Sequence, residues 1–188
     1  MEARRLSPDT EIPAVGATVG DFWAWAYSDV LSNTARGVLA EFLVGSALGV
    51  VDGVRVAWDP FDLLYEDAKI EIKSAAYVQR WFQKKHSVVE WMGIGEQKAW
   101  NAATGTYSEE KKRWADCYVL CLYTERDRDV ANALDVSRWE FYVLSTERIY
   151  RGLGTQKSVA LGTIRRMTEP VGYGLLKERV DQVLNGTG

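Results

Sequence analysis

Four charged side chains form a candidate chemical set: Glu41, Asp62, Glu71 and Lys73. Glu71 and Lys73 belong to "KIEIK" at 69–73, where charge alternates with isoleucine at period two. On a strand, that alternation places Lys69, Glu71 and Lys73 on one face and Ile70 and Ile72 on the other. Asp62 heads "DLLY", nine residues before Glu71, and antiparallel pairing across the "EDA" turn can bring both carboxylates to one sheet end. Two carboxylates within a few ångström repel, and a hard divalent cation such as Mg2+ relieves the repulsion. Lys73, one pleat beyond Glu71, can hold an attacking water or steady charge developing on a phosphate. Glu41 interrupts the apolar run "VLAEFLVG", where a carboxylate facing the core needs a partner such as a metal site. The competing reading of "KIEIK" alone is an ordinary half-wet strand, with Lys69 in solvent.

The elements that must position these residues follow from pattern. Residues 1–20 are polar, with Pro8, Pro13, Gly16 and Gly20, and read as a loose lead-in. "DFWAWAYSDVL" at 21–31 reads as an aromatic-faced helix capped by Asp21. A second helix follows "SNT", capped by Asn33 or Thr34, with Val38, Leu39, Phe42, Leu43 and Ala47 at helical spacing and Gly49 as its stop. Strand-like runs come next at 54–58, 62–65 and 69–77, with another at "SVVEWMGI". Residues 93–112 are Gly-rich and polar and read as a loop. "WADCYVLCLYT" at 114–124 and "WEFYVLST" at 139–146 are the most apolar segments and read as central strands, separated by "DVANALDVS" as a short helix or loop. "KSVAL" at 157–161 is a further strand, and 172–185 an amphipathic closing helix. This is one α/β domain over residues 1–188, a mixed central sheet flanked by helices.

The chain has 188 residues, 47% hydrophobic and 26% charged, with a formal net charge of −3. That is ordinary for a globular domain, and any nucleic-acid binding must come from a local basic patch. Cys117 and Cys121, four apart on a strand, have Cα atoms roughly 13 Å apart, too far for a disulfide. Two reduced thiols, no long apolar run and no apolar signal core predict a cytoplasmic protein without a membrane partner.

The acid of "PFD" (Asp62), "EIK" at 71–73 and the preceding helix glutamate (Glu41 in "RGVLAEFL") resemble the restriction-endonuclease-like (PD-(D/E)XK) nuclease superfamily. Tyr77 and Gln79 in "SAAYVQRW" are similar to positions that follow the lysine in some of its branches. The resemblance covers residues 34–81 closely and implies a restriction-endonuclease-like core with α-β-β-β-α-β order. It further implies that Asp62, Glu71 and Glu41 bind Mg2+, with Mn2+ able to substitute, and that Lys73 assists the nucleophilic water. The acid is written Pro-Phe-Asp rather than Pro-Asp, so Asp59 in "WDP" competes with Asp62 for first ligand. The implied activity is hydrolysis of DNA phosphodiester bonds by an endonuclease of restriction or repair type. No residue separates DNA from RNA, and a homodimer stays open. The alternative is a catalytically inactive module of the same fold that binds nucleic acid or a protein.

"QRWFQKKH" follows directly, and Gln79, Arg80, Trp81, Lys84 and Lys85 are its candidate nucleic-acid contacts, the cations for phosphates and Trp81 for base stacking. The same run also fits a solvated turn. "EEKKRW" at 109–114 reads as a solvated, salt-bridged segment. His86 is the only histidine, which argues against a histidine triad or a histidine-built zinc site. "GLGTQK" lacks the ending of a phosphate loop and reads as a turn.

Overall fold

The structure, a computed structural model, describes residues 4–56, 59–101 and 104–186. In chain order the elements are β1 (Glu11–Ile12), β2 (Ala17–Thr18), α1 (Val19–Tyr27), α2 (Asn33–Leu48), β3 (Leu63–Tyr65), β4 (Ala68–Ala76) and β5 (Glu90–Met92). There follow β6 (Trp100–Asn101), β7 (Thr106–Tyr107), β8 (Cys117–Tyr123), β9 (Trp139–Ser145), α3 (Thr146–Leu153), β10 (Ser158–Ala160), α4 (Leu161–Met167) and α5 (Leu176–Leu184). The fold is α/β, built on a mixed sheet of order β3–β4–β8–β9. β3 pairs antiparallel with β4, β4 parallel with β8, and β8 antiparallel with β9. Among the described residues three two-stranded ribbons accompany it: β1–β2, β6–β7 and β5–β10.

β8 is buried at all seven positions, as a continuous apolar strand covered on both faces must be. On one face Ile70, Ile72, Val119, Cys121, Phe141 and Val143 pack with Leu43, Val44 and Leu48 of α2 and with Leu176 and Val180 of α5. On the other, Tyr118, Leu120, Leu122, Tyr142 and Leu144 pack under Trp91 of β5, Ile149 and Leu153 of α3, and Ile164 of α4. The alternation in β4 therefore separates two covered faces, and Glu71 is 5% exposed. Both cysteines are buried free thiols.

Several local expectations change. Thr18, not Asp21, caps α1: its hydroxyl accepts from Asp21 N while the Asp21 carboxylate accepts from Thr18 N at 2.8 Å. That capping box, rather than burial, holds α1, since only Val19 of the helix is buried and Trp25 is 85% exposed. Ser32 caps α2, ahead of both Asn33 and Thr34, and Gly49 ends it at φ 76°. Of the strand read at 54–58, residues 54–56 are irregular and 57–58 lie outside the described residues. No helix lies between β4 and β8 among the described residues. The backbone after β4 is held instead by side chains: Gln83 Oε1 accepts from Gln79 N at 2.6 Å, and Gln83 Nε2 donates to Tyr77 O at 3.2 Å. The lead-in contains the β1–β2 ribbon, and helices α3 and α4 occupy segments with no helical expectation. No helix among the described residues is long and apolar enough to cross a membrane.

Candidate active site

Asp62 immediately precedes β3 and grips β4 on both sides of Glu71. Its backbone N–H donates to Ile70 O at 3.0 Å, and its carboxylate Oδ2 accepts from Ile72 N at 2.7 Å. The Asp62 carboxylate thus takes over the hydrogen bond that β3 would have given had it run further. Ile70 and Ile72, stiff at χ1 and sunk in the core, fix the strand and with it the direction of Glu71. Lys73 follows one pleat on and forms an ion pair with Glu71 Oε1. A Cβ at Gly93, whose φ is 74°, would stand 3.6 Å from Lys73 Cε, so the exit of β5 lies against the lysine stem. Tyr118 of β8 is the register partner of Glu71.

These groups share one electrostatic field. Burial pushes the Glu71 carboxyl up to about 7, with Asp62 and Glu41 adding to the rise and Lys73 opposing it. Burial also raises the Asp62 carboxyl, against the Ile72 N–H and the charges of Lys73 and Arg55. Burial alone would lower the Lys73 ammonium, but Glu71, Asp62 and Glu41 together carry it above its ordinary value. The result is a compact acidic cluster with too little positive charge for its depth, of a kind that relaxes by binding a proton or a cation.

Glu41 lies on α2 at the wall of a cavity of about 400 Å³. Asp62, Asp59, Phe61 and Arg55 share that wall, with Val38, Phe42 and Val54 supplying apolar lining. Glu41 is held by Arg55, which donates from Nε to Oε2 and from Nη2 to Oε1 at 2.7 Å. Asp59 is exposed, whereas Asp62 is the acid bonded to β4. The donors are hard carboxylate oxygens, the type that suits Mg2+. Among the described residues no three His, Cys, Asp or Glu side chains converge as a metal cluster, and Glu41 is engaged by Arg55. By type and charge the pair Asp62 and Glu71 fits a divalent cation, with Glu41 one guanidinium away.

The basic run leaves the C-terminal end of β4. Arg80, Trp81, Lys84 and Lys85 are exposed, and Arg80 pairs with Asp29 at 2.9 Å. Gln79 differs from them: it is buried, donating from Nε2 to Ala76 O at 3.1 Å and accepting from Arg36 Nη1 at 3.2 Å. Tyr77 stacks under the Arg126 guanidinium at 3.7 Å. Arg55 is the residue that sequence reasoning missed. Its signal was a lone cation in "VRVAW", within reach of a helix glutamate that lacked a partner.

The α/β sheet thus brings half-buried Asp62, buried Glu71 and Lys73 together on and beside β4, the strand next to its β3 edge. A family model described as bacteriophage T4 endonuclease IV matches residues 25–161, which include Glu41, Arg55, Asp62, Glu71 and Lys73. The chain belongs to that family, a family of nucleases. No curated protein and no solved structure matches it.

Proposed function

We propose that the chain is a Mg2+-dependent endonuclease that hydrolyses DNA phosphodiester bonds, with a PD-(D/E)XK arrangement at Asp62, Glu71 and Lys73. The observation that carries this reading is the grip of Asp62 on the backbone either side of Glu71, with Lys73 on the next pleat. Asp62 and Glu71 would hold the cation, and Glu41 would add a supporting contact. When bound, the cation supplies Lewis-acid neutralisation of the phosphoryl oxygens and eases ionisation of the attacking water. Lys73 directs its ammonium at that water and at the negative charge that grows as the new P–O bond forms and the sugar oxygen leaves. The burial of Glu71 lowers the local dielectric, which strengthens its part in these interactions. Arg80, Trp81, Lys84 and Lys85 form the adjoining nucleic-acid contact, while buried Gln79 shapes the loop that presents them.

The test is a pair of variants. Lys73→Ala should bind Mn2+ at least as tightly as wild type by calorimetry and lose most plasmid nicking, whereas Asp62→Asn should lose both binding and nicking. Mg2+-dependent nicking by folded Asp62→Asn at the wild-type rate would sink the assignment. The second reading, a non-catalytic nucleic-acid-binding module, is favoured by the engagement of Glu41 with Arg55. It predicts DNA binding by wild type with no Mn2+ site and no cleavage.

A further inference from the structure

The carboxylate cluster contains a cation of the protein's own. Both Arg55 donors engage both Glu41 oxygens, so the fork occupies the side of Glu41 from which a metal ion would be ligated. The pair is asymmetric: the Glu41 side chain is 12% exposed and that of Arg55 is 43% exposed. Glu41 is therefore fixed on α2 inside the cavity wall, while the guanidinium reaches it from the solvent side. The charge of Arg55 also bears on Asp62.

The segment bearing Arg55 is irregular and lightly bonded to the body. Residues 51–56 belong to no helix or strand, and Gly53 has open space around it. Apart from the Arg55–Glu41 fork, their described hydrogen bonds to the body are those from Arg5 Nη1 to the carbonyls of Val51 and Asp52, at 3.4 and 3.3 Å. The stem of the segment, by contrast, is tightly seated, since Val51 Cγ1 stands where a Cβ on Gly45 of α2 would be. Displacing Arg55 thus disturbs neither the α2 packing nor the sheet. A guanidinium presents a planar pair of donors that matches carboxylate and phosphate alike.

We propose that Arg55 holds Glu41 in the cation-free protein, cedes it to a divalent ion, and then binds a phosphate of the nucleic-acid substrate. This rests on the nuclease reading above. Were a divalent ion held by Glu41, Asp62 and Glu71, the released guanidinium, already 43% exposed at the cavity wall, would be free to meet a phosphodiester. Before the ion binds, the same fork offsets the charge of a carboxylate that would otherwise be buried and unpaired.

Two measurements on the full chain test it: calorimetric titration with MnCl2, and anisotropy of a labelled DNA duplex with Ca2+ replacing Mg2+. Arg55→Gln should bind Mn2+ roughly tenfold more tightly than wild type, because the competing cation is gone. It should bind the duplex roughly tenfold more weakly, with a salt slope shallower by about one. Arg55→Lys, which keeps the charge without the fork, should fall between them, and it carries the comparison if Arg55→Gln does not fold. Unchanged or weaker Mn2+ binding in Arg55→Gln would overturn the proposal, as would unchanged duplex binding. If wild type binds Mn2+ through Glu71 and only the Arg55 effects are missing, the nuclease reading survives. If wild type and Glu71→Gln both lack a Mn2+ site, both readings fall.

Discussion

Glu71 makes the stability of the metal-free protein depend on pH in a direction opposite to that of most paired carboxylates. Its carboxyl is raised in the folded state from 4.5 to about 7 by burial and by the neighbouring acids. The unfolded chain therefore gives up this proton first. The stabilisation from neutral Glu71 is complete below about pH 4.5 and is lost as pH rises through about 7. A rise of that size corresponds to about 3 kcal/mol. About 2.5 kcal/mol of it is lost between pH 5 and pH 8, which for a domain of this length is a fall in melting temperature of about 5–10 °C. The Asp62 carboxyl is raised as well and contributes with the same sign. Thermal melts in EDTA across that range, for wild type and Glu71→Gln, isolate the effect. The variant leaves Lys73 without its partner at every pH, which shifts its level, but its profile should be flatter than that of wild type. Saturating Mn2+ should restore wild-type stability at pH 8, since the cation replaces the proton. Parallel profiles for the two proteins in EDTA would refute the reasoning.

Three further outcomes follow from the same geometry. Lys73→Ala should lower the cleavage rate by about 10²–10⁴ while tightening Mn2+ binding, because a cation beside Glu71 is removed; single-turnover kinetics and calorimetry report the two effects. Replacing Arg80, Lys84 and Lys85 together with alanine should weaken duplex binding at every sequence and flatten the salt slope by about three, with single-turnover cleavage at saturation unchanged. Gly45→Ala should cost about 1–3 kcal/mol by denaturant titration, although alanine favours helix, because its Cβ would stand 2.6 Å from Val51 Cγ1 and push on the segment that carries Arg55.

The fold was legible where hydrophobic period and length agreed. α2, β4, β8, β9 and α5 each carry an apolar pattern long enough to state its own period, and each forms close to its expected place. α3 and α4 escaped because they are one or two turns long and bury few residues, Ile149 and Leu153 in one and Leu161 and Ile164 in the other. Their formation depends on the sheet face that they cover. α1 was read from its aromatics, yet a local capping box holds it and the aromatics face outward. At the site, the approach of Asp62 to β4 was legible from the hairpin, since the turn at Glu66 and Asp67 sets the pairing of Leu63 with Ile70, whereas the bond of its carboxylate to Ile72 N was not. The partner of Glu41 did not, because the path of an irregular segment is written in no periodicity. The depth of Glu71 was also hidden: a strand with alternating charge reads as half-wet until the layer carrying Trp91, Ile149 and Ile164 is seen to cover the sheet's second face.

A crystal of the full chain soaked in MnCl2, with anomalous data collected at the manganese edge, tests whether the acid pair is a cation site. A peak between the carboxylates of Asp62 and Glu71 is expected, absent from a Glu71→Gln crystal treated identically. A protein that nicks DNA in Mn2+ but shows no anomalous peak at those carboxylates, or shows it elsewhere, would contradict the assignment of the site.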